Sequence, residues 1–125
     1  MKVDNYRDLI VWQRSVDVAH AIRQSTLAFP KHETFGLASQ IQRAAVSIPA
    51  NIAEGHERES TKEYLYHLSV AQGSRAELET HLTLAEMSGY LEATEVDQFL
   101  KRLDEIGKMI RAIQKSLKKK ISLIP

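Results

Sequence analysis

Residues 40–60 read QIQRAAVSIPANIAEGHERES. Ile41, Ala44, Ala45, Ile48 and Ile52 recur in steps of three and four, the period of one helix face. Pro49 falls inside that period. A proline in a helix interior costs about 3 kcal/mol or more, because it removes a backbone donor and crowds the carbonyl four residues back. Here that carbonyl belongs to Ala45. The expectation is a helix that bends at Pro49, its freed carbonyl met by the Ser47 hydroxyl or by water. The neighbours are small: Ala44, Ala45, Ser47, Ala50 and Ala53. Further along, Gly73-Ser74 lies in mid-helix, where glycine costs about 1 kcal/mol relative to alanine. Small residues on two helices predict a close backbone approach at that level, within the subunit or across an interface.

Asn51 and Glu54 interrupt the apolar pattern. A buried Asn51 needs partners for its amide, since an unpaired one costs about 1–3 kcal/mol. A buried Glu54 needs a cation, Arg43 or Arg58. In the blander alternative, Glu54 and Arg58 form an exposed pair one turn apart, worth about 0.3–0.5 kcal/mol. With no nucleophile or metal ligand nearby, a structural network is the preferred reading over catalysis.

Three further helices flank this one. From Asp8 to Ala28 a stripe of Val11, Trp12, Val16, Val18, Ala19 and Ile22 runs up to Phe29-Pro30, where the residue before proline leaves the helical region. The quoted helix starts near Glu33 and stops at Gly55, read as a left-handed closing glycine. Ser60 and Glu63 form a capping box that opens a third helix, ending at Ser88-Gly89. Thr94 is read as the cap of a fourth. That helix carries Val96, Phe99, Leu103, Ile106, Ile110, Ile113 and Leu117 as an unbroken heptad seam. The connections are short, so sequential helices run antiparallel. The predicted fold is all-α, an antiparallel up-down-up-down four-helix bundle, one domain over residues 1–125.

A chain of 125 residues, 43% hydrophobic and 26% charged, is ordinary for a soluble domain. It has no cysteine, which excludes disulfides and thiolate metal sites. Neither a signal-like apolar core nor a run near the ~20 residues needed to span a bilayer is present. The expectation is a cytoplasmic protein with no membrane contact. Charge is unevenly distributed. Glu54 to Glu95 holds nine acidic and three basic residues, whereas Lys101 to Lys120 holds eight basic and two acidic. Such a basic stretch solvates a face and complements the helix dipole, meets an acidic face of another subunit, or binds nucleic acid.

The 40–60 stretch, followed by GSRAELETHLTLAE, resembles the four-helix-bundle proteins encoded by intervening sequences in bacterial 23S ribosomal RNA genes. The matching elements are Gln40, Ile41, Arg43 to Pro49, Asn51 to Gly55, Arg58, Ser60, Gly73, Ser74, Glu77 and Leu78. Tyr6, Asp8-Leu9 and Val11-Trp12 also fit, as does the turn of Phe29, Pro30, Glu33, Phe35, Gly36 and Leu37. The resemblance implies a bundle that assembles into a ring, a homopentamer with a central channel, and implies no known enzymatic activity. It marks Arg43, Ser47, Pro49, Asn51, Glu54, Gly55, Arg58, Gly73, Ser74 and Glu77 as structural or assembly residues. The family name records gene location in some members. A more distant relative in diversity-generating retroelements binds a reverse transcriptase and nucleic acid through a basic surface, an analogy of fold.

Enzyme chemistry finds little footing. Glu63/His67 and Glu77/His81 are four apart on one helix, but the two pairs lie roughly 21 Å from each other and cannot share a metal. They are read as i,i+4 ion pairs. Ser74 has no histidine at a suggestive spacing, and the glycines are isolated rather than grouped in a phosphate loop. No catalytic residue, metal or cofactor is expected. The leading function is nucleic-acid binding, of RNA or DNA, through Lys101, Arg102, Lys108, Arg111, Lys115, Lys118, Lys119 and Lys120. No aromatic follows Phe99 in that stretch, so base stacking is poor and binding should be sequence-tolerant. The alternative is a structural or adaptor protein that assembles into a ring and docks a protein partner.

Overall fold

The structure, a computed structural model, describes residues 3–122. It contains four α-helices: α1, Ile10–Thr26; α2, Leu37–Glu57; α3, Thr61–Met87; and α4, Ala93–Ser122. No strand occurs among the described residues. Each helix packs on its neighbour in sequence, and α1 closes the square on α4; α2 and α3 share the most extensive contact. Short connections at Arg58–Ser60 and Ser88–Glu92 force the antiparallel course. Among the described residues, no helix is long and apolar enough to cross a membrane.

α1 begins later than its apolar stripe predicts, because Tyr6–Asp8 forms a separate 3-10 turn capped by the Asn5 side chain. Its buried positions are Val11, Ser15, Val18, Ile22 and Thr26. Val16, assigned to the core from the sequence, is 36% exposed. The helical period passes through Ser15 instead, whose hydroxyl is satisfied internally by donating to the Val11 carbonyl at 2.6 Å. Thr26 Oγ1 accepts from Gln42 Nε2 at 2.7 Å, joining α1 to α2.

α2 starts at Leu37 rather than near Glu33, which belongs to a 3-10 turn at Lys31–Glu33. Glu33 still serves the helix start, its carboxylate accepting from the Leu37 amide at 3.1 Å and from the Tyr90 hydroxyl at 3.0 Å. The backbone donor, then Tyr90, holds the Glu33 carboxyl below its usual range; the same bond pushes the Tyr90 phenol up. The helix runs through Pro49 without a break, the ring being buried.

Gly55 corrects a second expectation. It lies inside α2, which continues to Glu57, and it has no positive φ; among the described residues only Gly89 does, at 78°. Gly55 is a packing residue. A Cβ there would stand 2.7 Å from His67 Cβ and 3.0 Å from the Tyr64 ring on α3. Gly73, read as a close-approach glycine, is exposed, and a Cβ there would meet nothing within 4 Å. The helices therefore converge near Gly55, and Gly73 is not what lets them do so.

Ser60 opens α3 as the capping box predicts, its hydroxyl accepting from the Glu63 amide at 3.3 Å. Thr94 does not cap α4, because the helix already begins at Ala93. The heptad seam of α4 is buried from Val96 to Ile110, while Ile113 and Leu117 are only half-buried. Thirty residues make α4 about 45 Å long, and its last three turns have no fully buried residue among those described. Lower on the same helix, Gly107 makes room for the Arg75 guanidinium, which would lie 2.6 Å from an added Cβ. Arg75 is anchored by Gln72 and Glu79 at 2.8 Å each, and Gln72 in turn donates to the Gly107 carbonyl.

Candidate nucleic-acid interface

All eight cations predicted on α4 are exposed. They do not form one uniform patch. Lys101 pairs with Asp97 at 3.2 Å and Lys108 with Asp104 at 3.3 Å, each four residues apart on the same helix. These exposed pairs add about 1 kcal/mol or less to stability, but they neutralise the local charge. Glu105 reaches across to Arg14 of α1 at 3.3 Å, so the first half of α4 is electrically mixed.

The second half differs. No acidic residue follows Glu105 in the chain. Among the described residues, Arg102, Arg111, Lys115, Lys118, Lys119 and Lys120 take part in no ion pair. Lys108, Arg111, Lys115 and Lys118 succeed one another in steps of three, four and three, which stacks them along one side of the helix. The geometry thus narrows the predicted surface to Arg111, Lys115, Lys118, Lys119 and Lys120, with Lys108 at its edge.

The residues singled out around Pro49 form something else, a chain of hydrogen bonds along the α2–α3 seam. Ser47 Oγ and Ser74 Oγ lie 2.8 Å apart. Asn51 Nδ2 donates to the Ser47 carbonyl at 2.8 Å and to Ser47 Oγ at 3.1 Å. That leaves Asn51 Oδ1 to accept from His67 Nδ1 at 3.0 Å, while His67 Nε2 faces the Glu54 carboxylate at 3.3 Å. Arg58 completes the run at 3.0 Å from Glu54. The Ser47 hydroxyl is therefore committed to Ser74 and Asn51 rather than to the Ala45 carbonyl. Arg43, offered as a partner for Glu54, is exposed and takes part in no ion pair among the described residues.

His67 was missed in this role. Its spacing from Glu63 reads as a local pair, yet the ring turns to Asn51 and Glu54 on α2. The other local pair does form, His81 Nε2 lying 3.4 Å from the Glu77 carboxylate. No serine hydroxyl contacts His67, so the run does not have the connectivity of a nucleophile and its base. Among the described residues, no three histidine or carboxylate side chains are grouped to hold a metal. What the seam does is satisfy polar groups between two closely packed helices. Replacing Asn51 with alanine strands His67 Nδ1, and we expect a loss of about 1–2 kcal/mol in urea unfolding. A change below about 0.5 kcal/mol would mean the amide contributes no more than an ordinary surface group.

Fold and site together define a class, a four-helix bundle with a polar-locked central pair and a protruding cationic last helix. The chain belongs to the 23S rRNA-intervening sequence protein family, whose match covers residues 7–112. It is also similar to a protein of unknown function from the S23 ribosomal protein family of Bacteroides thetaiotaomicron, whose structure is solved. The two share 25% identity over 85% of this chain and 96% of the other, with a TM-score of 0.78. No curated protein matches. The family match ends before Lys115, so four of the six cations of α4 left unpaired among the described residues lie beyond it.

Proposed function

We propose that this protein binds single-stranded nucleic acid, RNA foremost, through the phosphate backbone, using the last three turns of α4, with no catalytic step. The observation that carries the reading is the run of five exposed cations from Arg111 to Lys120 with no acidic residue among or after them. A helix that solvated a face would be served by the mixed charges of its first half. A concentrated, unneutralised run gains from counterion release when it meets phosphates.

The test is fluorescence anisotropy of a labelled oligoribonucleotide, and of DNA of the same sequence, over a range of salt concentrations. Five phosphate contacts on a single strand predict a log–log slope of roughly −3 to −4. Absence of binding at about 50 mM salt would remove the reading.

A second reading concerns assembly, and the outer face of the α2–α3 pair favours it. Val46, Tyr66, Leu84 and Met87 are 46–78% exposed there, and Gly73 opens onto unfilled space between them. Those features fit a homo-oligomer, of which the pentameric ring is the form the family resemblance implies, displaying α4 outward to RNA or to a protein partner. Sedimentation velocity at micromolar concentration is expected to show an assembly. A monomer there would contradict this second reading and leave the first standing.

A further inference from the structure

A cleft of about 540 Å³ opens where α4 ends, walled by the N-terminal segment, the α2–α3 junction and the last turns of α4. Its size suits a small molecule or one nucleotide. The floor is apolar: Val3, Leu9, Tyr64, Ile113 and Leu117. This explains why the α4 seam continues to Leu117 although no helix covers its end. Around the floor stand Lys119 and Lys120, and Arg58, which is also paired with Glu54 at 3.0 Å; among the described residues Glu59 is the one carboxylate lining the cleft. Ser60, Thr61 and Ser116 add hydroxyls, and Ser60-Thr61 is the N-terminus of α3, a 27-residue helix whose positive end points to this region.

His56 closes the wall between the N-terminal segment and α2. His56 is 3% exposed and lines the cleft. Its Nε2 donates to the Val3 carbonyl. Its Nδ1 has no hydrogen-bond partner among the described residues, Glu57 being 4.0 Å away.

We propose that the cleft seats the terminal nucleotide of a strand that ends in a phosphate monoester. The phosphate sits among Arg58, Lys119, Lys120 and the start of α3, and the nucleoside lies on the apolar floor. The inference rests on the single-strand reading above and names its ligand more closely. Lys119 and Lys120 belong to both the cationic run and the cleft rim, so a backbone tracking along α4 arrives there. The cleft lies where α4 ends, so a strand running down the helix brings its own end there. A terminal monoester carries close to two charges where an internal diester carries one, which suits Lys119 and Lys120, unpaired among the described residues, with Arg58 beside them shared with Glu54.

The experiment compares octamers of one sequence bearing a 5′-phosphate, a 3′-phosphate or hydroxyls at both ends, together with a free nucleoside monophosphate. One phosphorylated octamer should bind about tenfold more tightly than the hydroxyl-ended strand, the scale of an added charge-assisted contact. In Val3→Trp, which fills the cleft from the N-terminal segment, away from α4, and alters no charge, the preference should vanish while the hydroxyl-ended strand binds as before. Arg58→Gln should reduce the preference at least threefold. Preference for the free monophosphate alone would place a metabolite, not a strand end, in the cleft and overturn the proposal. Equal binding of all three octamers, or a preference that survives Val3→Trp, also overturns it while leaving the α4 surface intact. Failure of every strand to bind overturns both readings.

Discussion

Reversing Lys118, Lys119 and Lys120 to glutamate together is expected to weaken RNA binding by at least about 30-fold at low salt, with the fold kept and stability lowered by no more than about 1–2 kcal/mol through the helix dipole. The magnitude follows from losing three phosphate contacts and adding three repulsions, at a few tenths to about 1 kcal/mol for each exposed charge interaction. The fold should be indifferent, because these residues are exposed and lie beyond Ile110, the last fully buried position of α4. The matched control is the double reversal of Lys101 and Lys108. Both are already held by Asp97 and Asp104, so their loss should cost less than about threefold in affinity. If the triple variant instead disperses an oligomer while RNA binding persists, the lysines serve a subunit contact.

The second large effect is on stability and comes from one methyl group. Gly55→Ala should destabilise the bundle by about 1–3 kcal/mol, the range for overpacking a filled interior. Alanine is ordinarily the better helix residue by up to about 1 kcal/mol, so a net loss would be diagnostic of the close approach. The added carbon would meet His67 Cβ and the Tyr64 ring, neither of which can retreat without moving α3. At Gly107 the obstruction is only the end of the Arg75 side chain, and the change should be small. At Gly73, where nothing obstructs, alanine should stabilise the isolated subunit by about 0.5–1 kcal/mol. If Gly73 faces a neighbouring subunit, the same change weakens assembly, which separates the two roles in one variant.

Much of the architecture was legible because long helices announce themselves through period and punctuation. The Ser60 cap and the α4 seam from Val96 to Ile110 rest on local physics and hold, whereas α1 ends at Thr26, before the expected stop at Phe29-Pro30. Errors arose where a local signal had a tertiary rival. Gly55 looks like a helix stop, yet its value is the absence of a Cβ facing α3. Val16 is as apolar as Val18, but the helical period gives the core position to Ser15, whose hydroxyl satisfies itself. Glu63 is the nearest carboxylate to His67 in sequence, and Glu54 is the one in space. One signal for that pairing was available: Ser47 with Ser74, and Glu54 with His67, are reflections of each other across the turn at Ser60, as an antiparallel hairpin requires. The uneven neutralisation of α4 could also be read from the i,i+4 aspartates at 97 and 104, whereas the cleft could not, because its walls come from three distant parts of the chain.

The most direct check is amide chemical-shift mapping of the protein titrated with a single-stranded oligoribonucleotide at low salt. The predicted result is a continuous set of perturbations over residues 111–120, spreading to Arg58–Thr61 and fading with added salt. Perturbations centred on residues 97–108 or on the outer face of α2 and α3, or a spectrum that does not change, would contradict the assignment of the end of α4 as the binding surface.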